Sequence, residues 1–310
     1  MRITLGMQTS ESLQNINDQQ EQITNLSQQI SSGVTLSSAS DDPYDWAQVM
    51  DVKQSVQEYN SILSGINFGT SWGDNTESAM SQLSSLVSEA HQIAISATST
   101  NETDQGPTLA AQVGTILQQA LSLANSQYNG EYIFAGTSTS TAPYSIDEST
   151  GVVTGPTDSN PILVKTSTSD GSGYGSTAIN LAGDDVFKFT SGGNTLNVLQ
   201  ELWNLQQALQ NGDTATISSE ITTMNDAYNH IDNESGIYGA TQSDLTNQQT
   251  AINVILTNEQ GTLTKLEGTD IADATTKLAQ AQTAYQAALQ VTGILNNLNL
   301  ASLLSSSSSA

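Results

Sequence analysis

His91 and His230 are the chain's two imidazoles, and cysteine is absent. Thiol nucleophiles, disulfides and thiolate-held metals are therefore excluded. Two histidines far apart in sequence fall short of the ligand set a metal site needs. No His-Glu-x-x-His pair is present to hold a zinc on one helix face. Asp41-Asp42 and Asp184-Asp185 set carboxylates side by side. Paired carboxylates can act as acid and base on a glycoside, but such pairs at the edge of a helical run read more simply as caps and turns. Gly171-Ser172-Gly173-Tyr174-Gly175 has the glycines of a phosphate loop. It lacks the following Lys-Ser/Thr and the strand–helix frame. Trp46, Trp72 and Trp203 lie in helical stretches and read as packing residues, and the sequons at Asn25, Asn101 and Asn233 are a pattern common by chance. The expectation is no catalytic residue, no cofactor and no metal: not an enzyme.

The spacing that does stand out is apolar. Near the start, Leu13, Ile16, Ile23, Leu26 and Ile30 fall at intervals of three, four or seven. Near the finish, Ile271, Leu278 and Tyr285 share one heptad position, and Ala274, Ala281, Ala288 and Leu295 share its neighbour. That is coiled-coil spacing. Neither helix can bury its apolar face alone, and the alanine row lets a second backbone come close. The expected assembly interface is therefore Leu13, Ile16, Ile23, Leu26 and Ile30 with Ile271, Leu278, Ala281, Tyr285, Ala288 and Leu295. The two ends should pack on each other and on copies of the same chain.

Composition narrows the partners. With 31 acids against 6 bases the net charge is −25. Nucleic acid is not expected, because phosphate binding needs clustered Lys and Arg. Self-association of so acidic a chain should weaken at low salt, where screening fades. No run of ~20 apolar residues is present, so no membrane insertion is expected. The start has no apolar stretch long enough for a signal peptide, so export would not use a cleaved signal.

The elements that carry these rows follow a nested plan. Ser31-Ser32-Gly33 stops the first helix, and Val34 to Asp42 is a polar connector. Asp41-Asp42-Pro43 starts a long helix whose apolar row runs Val49, Val52, Val56, Tyr59, Leu63 and Ile66, with Met80, Leu83, Val87, Ala90, Ala94 and Ala97 beyond. Gly65, Gly69 and Gly73 share one face of it. They are either a groove for a closely approaching partner or a break, since each costs ~1 kcal/mol against Ala. A third helix carries Ala110, Val113, Leu117, Ala120 and Ala124 and ends at Asn129-Gly130. From about 131 to 190 the chain turns to Gly, Ser, Thr, Pro and Asp. Strand-like pieces appear at Tyr132 to Ala135, Val152-Val153, Ile162 to Val164, Ala178 to Leu181 and Val186 to Phe189. Helical spacing returns with Val198, Leu202, Leu205 and Leu209, then Ile217, Ile221, Met224, Tyr228 and Ile231, then a segment from about Ser243 to Leu266. Asp270 caps the last helix, and Ser305 to Ser309 reads as a disordered tail.

That plan, with particular residues in it, resembles the bacterial flagellin superfamily, and within it the hook-associated proteins of the hook–filament junction. Met1-Arg2-Ile3-Thr4 with Met7 is similar to that family's start. Gln29-Ile30-Ser31-Ser32-Gly33 with Ser40-Asp41-Asp42-Pro43 resembles the first long block, and Pro43 fits the junction branch better than filament flagellin. Asn129-Gly130-Glu131-Tyr132-Ile133-Phe134-Ala135-Gly136 with Thr141-Ala142-Pro143-Tyr144 looks like the entry to the junction branch's outer domain. Ala279-Gln280-Ala281-Gln282-Thr283-Ala284-Tyr285-Gln286-Ala287-Ala288-Leu289 is similar to the terminal helix. The chain departs from the family at Val34-Thr35, where basic residues are common. It also has His91 and no Arg between Leu83 and Ile95, so recognition by the animal innate receptor is not carried over.

The resemblance implies a fold that is mainly α with a small β-rich insertion: an elongated rod of long helices whose N- and C-terminal segments pair as an antiparallel coiled-coil bundle. Residues 1–40 plus 270–310 would form the terminal inner-tube domain, 41–130 plus 194–269 the long-helix rod, and 131–193 the β-rich outer domain. The implied function is a structural subunit exported by the flagellar type III apparatus and assembled outside the cell at the distal end of the growing flagellum. The implied partners are hook-associated protein 1, flagellin, copies of itself in a ring and a flagellar export chaperone. Filament flagellin itself is the alternative; an exported adhesin or an enzyme housed in the insert comes after it.

Overall fold

A computed structural model describes residues 5–99, 105–168 and 175–307, with the side chains of 5, 6, 8, 9, 99 and 295–307 outside the description. The glycine-rich run Gly171 to Tyr174, the opening Met1 to Thr4, Asn101 and the Leu295 side chain therefore lie outside the described residues. The described chain is mainly α with a small β-rich insertion. Its helices are α1 (Leu5–Ser32), α2 (Pro43–Ser99), α3 (Gly106–Ala124), α4 (Gly183–Phe187), α5 (Val198–Asn211), α6 (Thr214–Glu267) and α7 (Ile271–Ser307). The chain divides into two compact units, residues 1–56 with 257–310 and residues 57–256.

In the first unit α1 packs on α7. The turns that bring them together are tied to each other. Thr35 N–H donates to the Glu267 carbonyl at 2.7 Å and Thr269 N–H to the Gly33 carbonyl at 2.9 Å. Gly33 has φ +73°, the left-handed conformation that ends a helix at glycine. Leu36 is buried in what the sequence presents as a polar connector. Asp41 accepts the backbone N–H of Ser37 and Ser38 at 3.0 and 2.9 Å. Asp42 caps α2 by accepting from Tyr44 and Asp45 N–H at 2.9 and 3.1 Å. Lys53 pairs with Glu267 at 2.7 Å and stands 5.9 Å from the Trp46 ring centroid. α7 continues through Ser307, so the start of the serine tail expected to be disordered is helical.

α2 is one helix of 57 residues, and its part in the second unit runs through all three glycines without a break. The glycines are a groove. An added Cβ at Gly69 would meet Ile179 Cγ2 at 2.5 Å, at Gly65 Val164 Cγ1 at 2.9 Å, and at Gly73 the Gln242 side chain. The insertion and α6 thus reach the α2 backbone, and their burial offsets the propensity lost. α6 likewise joins two segments that the sequence reads as separate. Gly236 and Gly239 are spanned because Met224, Ala227 and Ile231 before them, Tyr238 between them and Leu245 after them are buried. Tyr228, expected in that row, is on the outside, and Ala227 takes the inner place. α3 packs on α5, with Ala110, Val113, Ile116, Leu117, Ala120 and Ala124 all buried.

The insertion consists of two-stranded antiparallel pairs: β1 (Gln127–Tyr128) with β2 (Glu131–Tyr132), β3 (Ser145–Ile146) with β4 (Val153–Thr154), β5 (Leu163–Lys165) with β6 (Ser176–Ala178), and β7 (Lys188–Ser191) with β8 (Asn194–Asn197). Two sequence readings are corrected here. Asn129-Gly130 does not end α3, which stops at Ala124; with φ 52° and 85° it is the two-residue turn of the first hairpin. Positive φ at both central residues is what such a turn demands. Val186-Phe187 is not strand but the end of α4, where Asp184 and Asp185 occupy the first turn and favour its positive dipole end. Phe187 stacks its edge on Phe134 at 5.5 Å and packs against Tyr144 at 4.7 Å. The stretch from Tyr132 to Tyr144 therefore supplies the insertion's core.

Candidate functional site

The acid pairs and His230 have structural work. Besides the capping and loop roles of Asp41 and Asp42, Asp184 pairs with Lys188 at 2.7 Å, and His230 Nε2 lies 2.7 Å from the Asp185 carbonyl. Among the described residues no group of three His, Cys, Asp or Glu is placed to hold a metal. Trp72 is fully buried between Phe68 and Tyr128, while Trp203 lies against Gly151. No described helix is long and apolar enough to cross a membrane.

The surface that remains is the α1–α7 pair. α7 is started by Asp270, whose Oδ1 accepts from Ala272 and Asp273 N–H at 2.9 and 3.1 Å. Asp273 pairs with Lys277 one turn on at 2.6 Å and holds that ammonium above its usual pKa. The expected residues divide by exposure. Ile16, Leu26, Ala274 and Ala281 are buried, so the alanine row is the seam against α1. Ile23, Ile30, Leu278, Tyr285 and Ala288 are half-buried. Leu13 and Ile271 stay open at 52% and 47%. Met7, Leu289, Val291 and Ile294 are also exposed, at 46% or more. The heptad reading missed these four because they lie off the rows it followed; their apolar type on an otherwise polar helix face was the available signal.

A second face of α7 is a shallow groove lined by Thr275, Thr276, Ala279, Gln280, Thr283, Ala284 and Ala287. The threonine hydroxyls donate back to carbonyls of their own helix: Thr275 to Ile271 at 2.7 Å, Thr276 to Ala272 at 2.8 Å and Thr283 to Ala279 at 2.8 Å. With its hydroxyls satisfied, the face presents methyl groups and short side chains. One helix thus has a small-residue row already used and a second one open.

The family model for the bacterial flagellin N-terminal helical region matches residues 3–139, and that for the C-terminal helical region matches residues 221–304. The chain belongs to the bacterial flagellin family. Flagellar hook-associated protein 3 of Salmonella typhimurium is 31% identical over 153 residues, 49% of this chain and 48% of that protein. The protein of the same name from Escherichia coli is 29% identical over 147 residues, 47% of this chain and 46% of that protein. The chain thus spans about half the length of the curated relatives it matches. The crystal structure of the flagellar junction protein FlgL from Legionella pneumophila superposes with a TM-score of 0.58 at 16% identity, over 71% of this chain and 100% of that one. At that identity the likeness speaks for the fold. The matched flagellin regions contain α1 and almost all of α7, the paired helices of the candidate surface.

Proposed function

We propose that this flagellin-family chain is a structural subunit of the bacterial flagellum, acting as hook-associated protein 3 at the junction between hook and filament. The observation that carries the reading is the name shared by the two curated relatives. The exposed apolar side chains of α1 and α7 supply a mechanism. Full burial of a Leu, Ile or Val side chain is worth about 1.5–3 kcal/mol. Covering the exposed half of Leu13, Ile271, Leu289, Val291 and Ile294 then contributes on the order of 1 kcal/mol each. That is several kcal/mol per protomer, set against the cost of association and shared by neighbours on both sides in a ring. The terminal helices, residues 1–40 and 270–310, would line the inner tube. Hook-associated protein 1 would sit on the hook side and flagellin on the other. Export would be through the flagellar apparatus, with a chaperone.

Negative-stain imaging of a deletion strain tests this. The expected result is hooks without filaments, with flagellin shed into the medium and filaments restored by the intact chain. Filaments of normal length in the deletion strain would overturn it. The number of copies in purified flagella separates the junction from the filament role: a short ring or thousands of subunits.

A further inference from the structure

Glu201 of α5 and Glu220 of α6 are buried, 7% and 5% exposed, and their carboxyl groups are in hydrogen-bonding contact. Among the described residues neither has a lysine or arginine as ion-pair partner, and Glu220 Oε2 has no other partner. Two bare carboxylates cannot share such a place, because each would lose its hydration and repel the other.

A row of hydrogen bonds reaches one oxygen of the pair. Val153 N–H, which can only donate, gives to Gln200 Oε1 at 3.2 Å. That turns Gln200 Nε2 to Asn204 Oδ1 at 3.3 Å, and Asn204 Nδ2 in turn to Glu201 Oε2 at 3.0 Å. Glu201 Oε2 is thereby an acceptor, and a proton on the pair lies on another of its oxygens. We infer that Glu201 and Glu220 share a single proton and act as an acid-dependent clasp between α5 and α6, so that folding takes up a proton at neutral pH.

The neighbouring elements carry few charges among their described residues. α3, packed on α5, has no ionisable side chain, and α5 has only Glu201. Near Glu220 on α6, Asp213 is occupied by Ala215 and Thr216 and Asp226 by Ser191. The C-terminal part of α2 carries Glu89 and His91, and Glu102 and Asp104 lie outside the described residues. Burial first, and then Glu201, push the Glu220 carboxyl up to about 8. A raised acid stabilises the fold fully below its unfolded pKa, and that contribution is lost as pH rises through about 8. The other shifted groups titrate well away from neutrality.

Calorimetric unfolding of the full chain at pH 7, in buffers of different ionisation enthalpy, counts the protons. The wild type is expected to release ~0.9 proton more than Glu220→Gln, whose amide keeps the hydrogen bond without titrating. The wild-type midpoint should fall between pH 6 and 9.5 while that of the variant stays level. Equal proton release and parallel pH profiles would overturn the inference. A measurement on the wild type alone guards against a variant that fails to fold. The infrared C=O stretch of a protonated carboxyl should be present in the native protein at pH 7 and gone at pH 10, and its absence at pH 7 would equally overturn it.

Discussion

Replacing Gly69 by Ala and, separately, Gly236 by Ala sets two terms against each other in helices of the same unit. In a helix interior Ala is favoured over Gly by about 1 kcal/mol. Gly236 has nothing within 4 Å of an added Cβ, so that gain should appear undiminished. For a body of this size it raises the melting temperature by roughly 2–4 °C. At Gly69 the new methyl would stand 2.5 Å from Ile179 Cγ2. Ile179 is fully buried and β-branched, so it has no free rotamer to take up. Overpacking of that kind costs about 1–3 kcal/mol, which exceeds the propensity gain. The expected outcome is a loss of about 1 kcal/mol in Gly69→Ala and a gap of about 2 kcal/mol between the variants. Urea titration followed by tryptophan fluorescence measures it, since Trp72 and Trp203 both lie in residues 57–256. If Gly69→Ala stabilises as much as Gly236→Ala, the glycines are not a packing groove and the reasoning fails.

Other outcomes follow from the same geometry. Leu13→Asp changes an exposed position and should leave the melting temperature of the isolated chain nearly unaltered while abolishing filament attachment in a complemented deletion strain. Ala281→Leu overfills the α1–α7 seam, should cost about 1–3 kcal/mol, and should speed proteolysis of both ends in the soluble protein. Asp158 accepts from the Thr137 and Asn160 N–H groups and both their side chains, and these bonds, Thr137's hydroxyl first, lower its pKa to about 2. Its contribution is present above the unfolded carboxylate pKa and lost as pH falls through about 2. The melting difference between wild type and Asp158→Asn should therefore be constant at neutral pH and shrink below about pH 4.

Periodicity was enough to read the helical segments and most of their apolar rows, because a helix face repeats every three or four residues whatever packs against it; it left α6 in two pieces and the continuity of α2 open. Ala110, Val113, Leu117, Ala120 and Ala124 are buried as spaced, and the alanine row of the last helix is the seam. The acid pairs were legible as residues of caps and turns for the same local reason. What the linear pattern left open was decided by neighbours distant in sequence. Whether Gly65, Gly69 and Gly73 break a helix or receive a partner depends on Val164, Ile179 and Gln242, which arrive from elsewhere in the chain. Asn129-Gly130 could end a helix or turn a hairpin until Gln127 and Tyr132 paired. Glu201 and Glu220 carry no signature in the sequence at all. They become a coupled pair only because α5 and α6 pack them together out of water, where a carboxyl group must keep its proton or find a cation. Short-range spacing therefore settles which elements form and which face is apolar, whereas close approach and shared burial belong to the folded chain.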